Sequence, residues 1–434
     1  MNTVWKFAIG QGLVFGRGAV REVGSQLGRL GPRHVMIVTD RGLCGLGMAQ
    51  RVQHSLEQAG ISSVIFDGGQ PEPPVQVAAQ AHEFGAAARV DGVIGLGGGS
   101  NLDVAKMAAV LLSHGGAPSD YFNFDRIPGP ILPLVAIPTT AGTGSEVSHS
   151  SVLTDTAAHV KVSALSPWLR PRLAIVDPSL SDLCPATVTA HSGIDALVHA
   201  IEAYTNRAFR EMDPMDPQLR AYEGAHPLGD ILAEQAIRLI GMHLRTAASM
   251  ARKYVGQSME SIPAEELARL HSARDGMALA ATLAGMAFSN CGVGLVHALE
   301  YPVGASVHCS HGEGNGLLLP HVMRFLRPAR IERFARIGQW LQGQGASPTS
   351  LADPDSLPDP DSLKDPVAAS WLAIREVESL VRDLGLRTSL QLLGVDQDQL
   401  DGFSEKSFAI KRLTALSPRE VAREDLLEIL RSAY

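Results

Sequence analysis

The sequence predicts an α/β N-terminal part built on a parallel sheet, followed by an all-α C-terminal part. Two patterns carry this reading. Short β-branched runs alternate with amphipathic segments through the first third, the signature of strands joined by crossover helices. From about Ser181 the periodicity changes to that of long helices. At 434 residues the chain has length for two or three domains, and the change of pattern sets them at 1–182 and 183–434.

In chain order, His34 to Asp40 (HVMIVTD) reads as a buried strand, Met48 to Ala59 as a helix and SSVIFD as the next strand. A Gly/Pro-rich turn and a helix near Val75 to Gly85 lead into DGVIGLGGGS, a strand ending in Gly97, Gly98, Gly99 and Ser100. NLDVAKMAAVLLS follows as a helix, with Ser100 or Asn101 expected as its cap. Leu134 to Ile137 and LAIVDP complete the strands, and Lys161 in HVKVSAL reads as a solvated strand residue. Near the end, 346–366 carries the near repeat DPDSL and reads as an exposed loop. Segments Val367 to Leu384 and Arg419 to Ser432 read as closing amphipathic helices.

Composition removes several classes. A net charge of -8, with no run of lysine and arginine, argues against a nucleic-acid surface. No apolar run is long enough to span a bilayer, and the N-terminus lacks the pattern of a secretory signal. Four widely spaced cysteines with no Cys-x-x-Cys pair suit a reducing cytoplasm.

Four stretches carry chemistry. A strand, then Gly97 to Ser100, then a helix can cradle a pyrophosphate, because glycines admit close approach and the helix start offers free amides. A tight packing turn is the alternative, and the usual Gly-x-Gly-x-x-Gly fingerprint is absent. The loop Pro138 to Glu146 is dense in threonine and glycine, which suits a polyhydroxylated or phosphorylated ligand. On the segment TVTAHSGIDALVHAIEAYTN, His191, Asp195, His199 and Glu202 fall at i, i+4, i+8 and i+11, one polar stripe on an apolar helix. Buried polar groups must be paired or bind something, and Asp195 and His199 can reach one cation; an intrahelical Asp–His hydrogen bond on a solvated face is the alternative. The fourth stretch, GLVHALEYPVGASVHCSHG, gathers His297, His308 and His311 around Tyr301. Its helix is expected to end at Pro302 and Gly304, leaving His308 and His311 in or beyond a returning loop. A solvated histidine cluster is the alternative there.

Taken together, GGGSNLDVAK (Gly97 to Lys106), PTTAGTGSEV (Pro138 to Val147), DALVHAIEAY (Asp195 to Tyr204) and VHALEYPVG with SHG resemble the iron-containing (group III, metal-dependent) alcohol dehydrogenase family in order and spacing. The resemblance runs from about Phe15 to the C-terminus. It implies a dinucleotide-binding α/β domain, a helical metal-binding domain and an active site in the cleft between them. Matched by position, the metal ligands are Asp195, His199, His297 and His311, with Tyr301 and His308 as further candidates near the substrate. Cofactor positions are Asp40, Gly97, Gly98, Gly99, Ser100, Asp103, Thr139, Thr140 and Lys161, with Leu180 near the adenine. Asp40 would repel a 2′-phosphate, which favours NAD over NADP.

The implied activity is interconversion of an alcohol and its aldehyde or ketone by hydride transfer to and from NAD, a divalent metal polarising the substrate oxygen. Iron is the family's metal, and one carboxylate with three imidazoles also suits zinc. The implied partner is a small alcohol, aldehyde or hydroxyacid, and the implied assembly a homodimer or higher homo-oligomer. Three features resemble the hydroxyacid–oxoacid transhydrogenase branch: Tyr301, the turn Pro71-Glu72-Pro73 and the segment Asn206 to Asp230, which could line the cleft or equally form a surface excursion or oligomer contact. A metal-dependent lyase of the dehydroquinate synthase type and a non-catalytic binding protein are the alternatives. The first would need several cationic groups around a sugar phosphate, and few stand near the metal motifs.

Overall fold

In the computed structural model, which describes residues 2–156, 160–213, 215–216, 221–342 and 365–434, the β-branched runs of the first half form one six-stranded sheet. Its strands are β1 (Gly12–Phe15), β2 (His34–Val38), β3 (Ser62–Phe66), β4 (Gly92–Gly97), β6 (Leu134–Pro138) and β9 (Leu173–Val176). They lie in the order β1-β9-β6-β4-β2-β3, and every pairing is parallel. Successive side chains point to opposite faces, so Met36 and Val38 join one apolar layer while Val35 and Ile37 join the other. Both faces are therefore covered, as an all-parallel sheet requires. A second sheet of β5 (Asn123–Phe124), β8 (Val160–Leu165) and β7 (Ser150–Asp155) is not anticipated by the strand–helix alternation. Its β7 and β8 pair antiparallel and carry Lys161 toward the helical half.

The connection from β2 runs outward to β3, whereas that from β4 runs the other way to β6. Where strand order reverses, the loops part and leave a crevice at the carboxyl ends of the strands. Asp40, beyond β2, and Gly97 to Ser100, at the end of β4, meet in this crevice.

Beyond β9 the described residues are helical. The Ala186–Thr205 helix is surrounded by Pro227–Lys253, Ala264–Cys291 and His311–Leu326. Small residues allow the close approach: Ala196, Ala200 and Ala203 on the first helix and Ala280, Ala284 and Ala287 on another are fully buried. Nothing along the last three turns of the central helix reaches solvent freely, so its polar stripe lies inside the fold. Among the described residues no single helix is long and apolar enough to cross a membrane.

Two boundaries differ from the sequence reading. The Gly99–His114 helix begins ahead of the expected caps: Gly98 is its cap and no side chain bonds to its first amides. Asn101 instead turns back to donate to Asp40 Oδ2 (2.8 Å) and the Leu96 carbonyl (3.2 Å), because Gly97, at φ 144°, folds the chain against it. The Leu295–Val307 helix runs through Pro302 and ends only where His308 adopts φ 53°. Proline removes one amide, but the buried face of the helix holds the remaining turns in place. The closing helices span Pro366–Leu384 and Arg423–Ser432. Most of the 346–366 loop lies outside the described residues.

Lys106 ties the Gly99–His114 helix to the second sheet. Fully buried, its Nζ donates to the Ser148 carbonyl (3.2 Å), Ser148 Oγ (3.1 Å) and the Ser150 carbonyl (2.7 Å). Burial pulls its pKa down to about 8 against the opposing charges of Asp103 and Glu146. The unfolded chain keeps that proton to about pH 10.5. Between pH 8 and 10.5 the unfolded state thus binds more protons, and stability rises with pH. Relative to Lys106→Met, wild-type stability in urea unfolding is expected to improve by about 3 kcal/mol from pH 7 to 10.5. A difference that stays flat would mean an ordinary proton affinity for Lys106.

Candidate active site

The cleft between the two halves holds a cavity of about 890 Å³, part of it open to solvent. Gly99, Ser100 and Asp103 line it from the sheet side, and Asp195, His199, His297, Tyr301 and His311 from the helical side. The Gly99–His114 helix points its uncapped start at this space. A Cβ at Gly99 would press on Thr143, and Thr140 faces Gly98 across the turn. The Thr139 amide donates to the Gly97 carbonyl at 3.0 Å. Asp40 accepts from the Leu43 amide (3.0 Å) and from Asn101, which fixes its carboxylate beside the glycines.

Asp103 has a bracing role. Its carboxylate accepts from Ser145 Oγ (2.7 Å) and the Val152 amide (2.9 Å), and burial raises its pKa. The loop from Pro138 to Glu146 uses two of its glycines to meet the helical half. A Cβ at Gly142 would strike Ser192, and Gly144, at φ 60°, lies against Gly285. Leu180 is packed into the core with Ile37, Ile94 and Ile137, so its side chain is not presented to a ligand. It is a packing residue in this structure.

On the helical side, the polar stripe meets the histidine stretch. One donor atom each from Asp195, His199 and His297 lies within 4.8 Å of the others, and all three residues are buried. His297 Nδ1 stands 2.6 Å from Glu202 Oε2, and Glu202 Oε1 accepts from the Val296 amide at 2.6 Å. That carboxylate keeps the proton on Nδ1 and leaves the Nε2 lone pair facing the cluster. Glu300 does the same for His311, at 2.5 Å from its Nδ1. Asn315, one turn after His311, brings its Nδ2 within 2.8 Å of Asp195 Oδ1, 3.2 Å of His311 Nε2 and 3.3 Å of His297 Nε2. An amide nitrogen has two hydrogens, so three acceptors around it leave one unmet. His199 Nδ1 is also buried without a partner, 4.0 Å from Asp195 Oδ2. Surplus lone pairs turned inward in this way are what a divalent cation requires.

The electrostatics differ between the histidines: burial would lower His311, yet Glu300 raises it, whereas His199 moves the other way. Burial, partly opposed by Asp195, pulls His199 down to about 4, so its imidazole is neutral and able to ligate. Burial would raise Glu300, yet His311 and Lys161 hold it at about 2. Lys161, a cofactor position by the resemblance and otherwise readable as a solvated strand residue, is buried between Glu72 Oε2 (3.1 Å) and Glu300 Oε1 (3.2 Å), and 3.4 Å from His311 Nδ1. It stands on the metal side of the cleft.

Tyr301 lines the cavity, its ring 6.3 Å from His297 and 6.0 Å from His311. His308 caps its helix at the surface, outside the cavity lining, and is not brought to the site. His191 binds Ser310 Oγ at 2.5 Å and belongs to the rim. Residues missed in the sequence include Asn315, Glu300, Tyr222 and Arg412. Asn315 and Glu300 sit one turn from His311 and just ahead of Tyr301, a helical spacing that could have flagged them. Tyr222 and Arg412 are far from the motifs, and no local signal marks them.

A cluster of inward-facing metal donors, set across a cleft from a switch-point crevice, suits an enzyme that holds a metal ion on one wall and a nucleotide on the other. The profile of the family described as iron-containing alcohol dehydrogenase matches residues 11–178, and that of its C-terminal part, Fe-containing alcohol dehydrogenase family, matches residues 250–434. Similar proteins include long-chain-alcohol dehydrogenase 1 of Geobacillus thermodenitrificans, 36% identical over 96% of this chain and 94% of that one. NAD-dependent methanol dehydrogenase of Bacillus methanolicus is 33% identical over 98% of this chain and 99% of its own. Among solved structures, a 1,3-propanediol oxidoreductase superposes with a TM-score of 0.84 at 32% identity, covering 99% of this chain and 100% of that one. The chain belongs to the iron-containing alcohol dehydrogenase family. It is an NAD-dependent oxidoreductase of the alcohol dehydrogenase type that uses a divalent metal, iron by family.

Nothing in these likenesses supports the hydroxyacid–oxoacid transhydrogenase branch. The features that suggested it have local roles: Tyr301 lines the cavity, Glu72 pairs with Lys161, and Tyr222 of the 206–230 segment closes the cavity wall. Because Glu202 orients His297, Glu202→Gln is expected to weaken metal affinity about 10- to 100-fold. Competition with a chelator measures this, and unchanged affinity would show that His297 needs no such partner.

Proposed function

We propose that the metal is held by Asp195, His199, His297 and His311, and that NAD lies along the Gly97–Ser100 turn with its ribose at Asp40. The reading rests on the convergence of Asp195, His199 and His297 at one point in the cleft. Its domains are 1–182 for NAD and 183–434 for the metal. When bound, the cation supplies Lewis acidity toward a substrate oxygen and the nicotinamide exchanges the hydride.

The chain's own residues prepare that step. Open amides at the start of the Gly99–His114 helix bind the pyrophosphate, with Thr139 and Thr140 closing the turn. Glu202 and Glu300 keep the Nδ1 protons of His297 and His311, so both Nε2 atoms stay free to ligate. Lys161 offsets the charge of Glu300 and holds it in place. Phe288, stacked on His199 at 4.2 Å, excludes water from that side. Tyr301, whose pKa burial raises, stays a neutral phenol near pH 7 and can donate to a substrate oxygen.

A homo-oligomer is favoured by the outer strand β1, which leaves Leu13 and Phe15 exposed. A cytoplasmic setting fits the four free cysteines.

Metal analysis of the purified chain, followed by NAD and NADP turnover across alcohols and aldehydes, tests the reading. His311→Ala is expected to bind metal at least about tenfold more weakly. Full metal content in that variant would remove His311 from the ligand set. Asp40→Ala is expected to raise the ratio of kcat/KM with NADP to that with NAD by about tenfold or more, since a 2′-phosphate would no longer meet a carboxylate. An unchanged ratio would place the ribose elsewhere.

A further inference from the structure

The cavity wall opposite the sheet contains a cation that the reaction above does not use. Arg412 opens the short Lys411–Thr414 helix and lines the cavity with Tyr222, Tyr301 and Ser163. Its Nη2 donates to Ser163 Oγ at 3.1 Å, and its Cζ lies 6.0 Å from the Tyr301 ring centroid. No carboxylate among the described residues comes within 4 Å of it. The other cation in the wall, Lys161, is already claimed by Glu72 and Glu300. Charge in the cavity is therefore arranged unevenly. Of the lining acids, Asp195 faces the metal donors, Glu72 pairs with Lys161 and Asp103 is held by Ser145 and the Val152 amide, while the guanidinium meets only the hydroxyls of Ser163 and Tyr301. A half-buried guanidinium with spare donors facing a ligand cavity matches the geometry of a planar or trigonal oxyanion.

Tyr301 sets the register. The same ring lies 6.3 Å from His297, 6.0 Å from His311 and 6.0 Å from the Arg412 guanidinium, so it touches both the donor cluster and the cation. A short molecule with an alcohol or aldehyde at one end and an oxyanion at the other would place its reacting oxygen at the metal donors and its charge at Arg412. Tyr222 and Tyr301 would pack along its carbons. Ser163, on β8, and Tyr222, from the segment after the central helix, hold this wall from separate elements. The pocket is thus built by the tertiary fold.

We propose that Arg412 forms, with Ser163 and Tyr301, a subsite for the anionic end of the substrate, and that the preferred substrates are short aldehydes and alcohols carrying a terminal carboxylate or sulfonate. This rests on the metal and NAD assignment above. Arg412 is a specificity-determining residue and takes no part in hydride transfer.

The test compares NADH-dependent reduction of 4-oxobutanoate, 2-oxoethanesulfonate and neutral butanal by the metal-loaded enzyme. Wild type is expected to favour one or both anionic aldehydes over butanal in kcat/KM, and the carboxylate and sulfonate arms identify which oxyanion the pocket takes. In Arg412→Met that preference should fall about 30-fold, mainly through KM, since a hydrogen bond to a charged group is lost. Arg412→Lys should recover part of it, with the point charge kept and the planar fork gone. No preference for either anion in wild type, or an equal preference in Arg412→Met, would overturn the proposal. Calorimetric titration with butanoate, against butanamide as the neutral control, separates this from the reading beneath it. Butanoate binding that disappears in Arg412→Met supports the subsite even if no alcohol or aldehyde turns over, an outcome that would instead defeat the oxidoreductase assignment. Equal binding in wild type and variant counts against the subsite.

Discussion

The cost of burying polar groups organises this protein. The Ala186–Thr205 helix is enclosed by other helices over most of its length, yet it carries Asp195, His199 and Glu202 on one face. A buried carboxylate or imidazole without a partner costs several kcal/mol, so the surrounding structure must supply partners. It does so from two later segments, with His297 answering Glu202 and Asn315 answering Asp195. What these leave unmet, the bare nitrogen of His199 above all, is the affinity for a cation. Packing and metal binding are solutions to the same problem.

A second constraint is the approach of the halves. The threonine- and glycine-rich loop after β6 rests on the helical domain where a larger residue would collide, with Gly144 against Gly285 and Gly142 against Ser192. The same loop reaches the sheet side through Ser145, whose hydroxyl bonds to Asp103. The walls of the cleft are therefore set by these close contacts, and the cavity is what remains between them.

Much of this was legible in the sequence. Alternating β-branched runs gave the parallel sheet because a strand buried on both faces has to be apolar throughout. The stripe at Asp195 and His199 stood out because polarity on an apolar helix is rare. Legibility failed where tertiary partners decide. Lys161 looks solvated in its own strand, and only the folded chain brings Glu72 and Glu300 to it. Pro302 looks like a helix end, but the buried face of its helix outweighs one missing amide. Asn101 looks like a cap, yet the reversed glycine before it turns its amide toward Asp40. Tyr222 and Arg412 lie so far from the motifs that no spacing rule could associate them with the cavity. His308 drew attention by type alone, and its place at a surface helix end separates it from the site.

Lys161 has a consequence for how the two halves communicate. It projects from β8 on the sheet side, while Glu300 and His311 belong to the helical side. The strength with which His311 donates its lone pair depends on how fully Glu300 accepts its Nδ1 proton. That acceptance is diluted when Lys161 draws on the same carboxylate. The ion pair thus makes one imidazole of the helical wall answer to a side chain of the sheet wall.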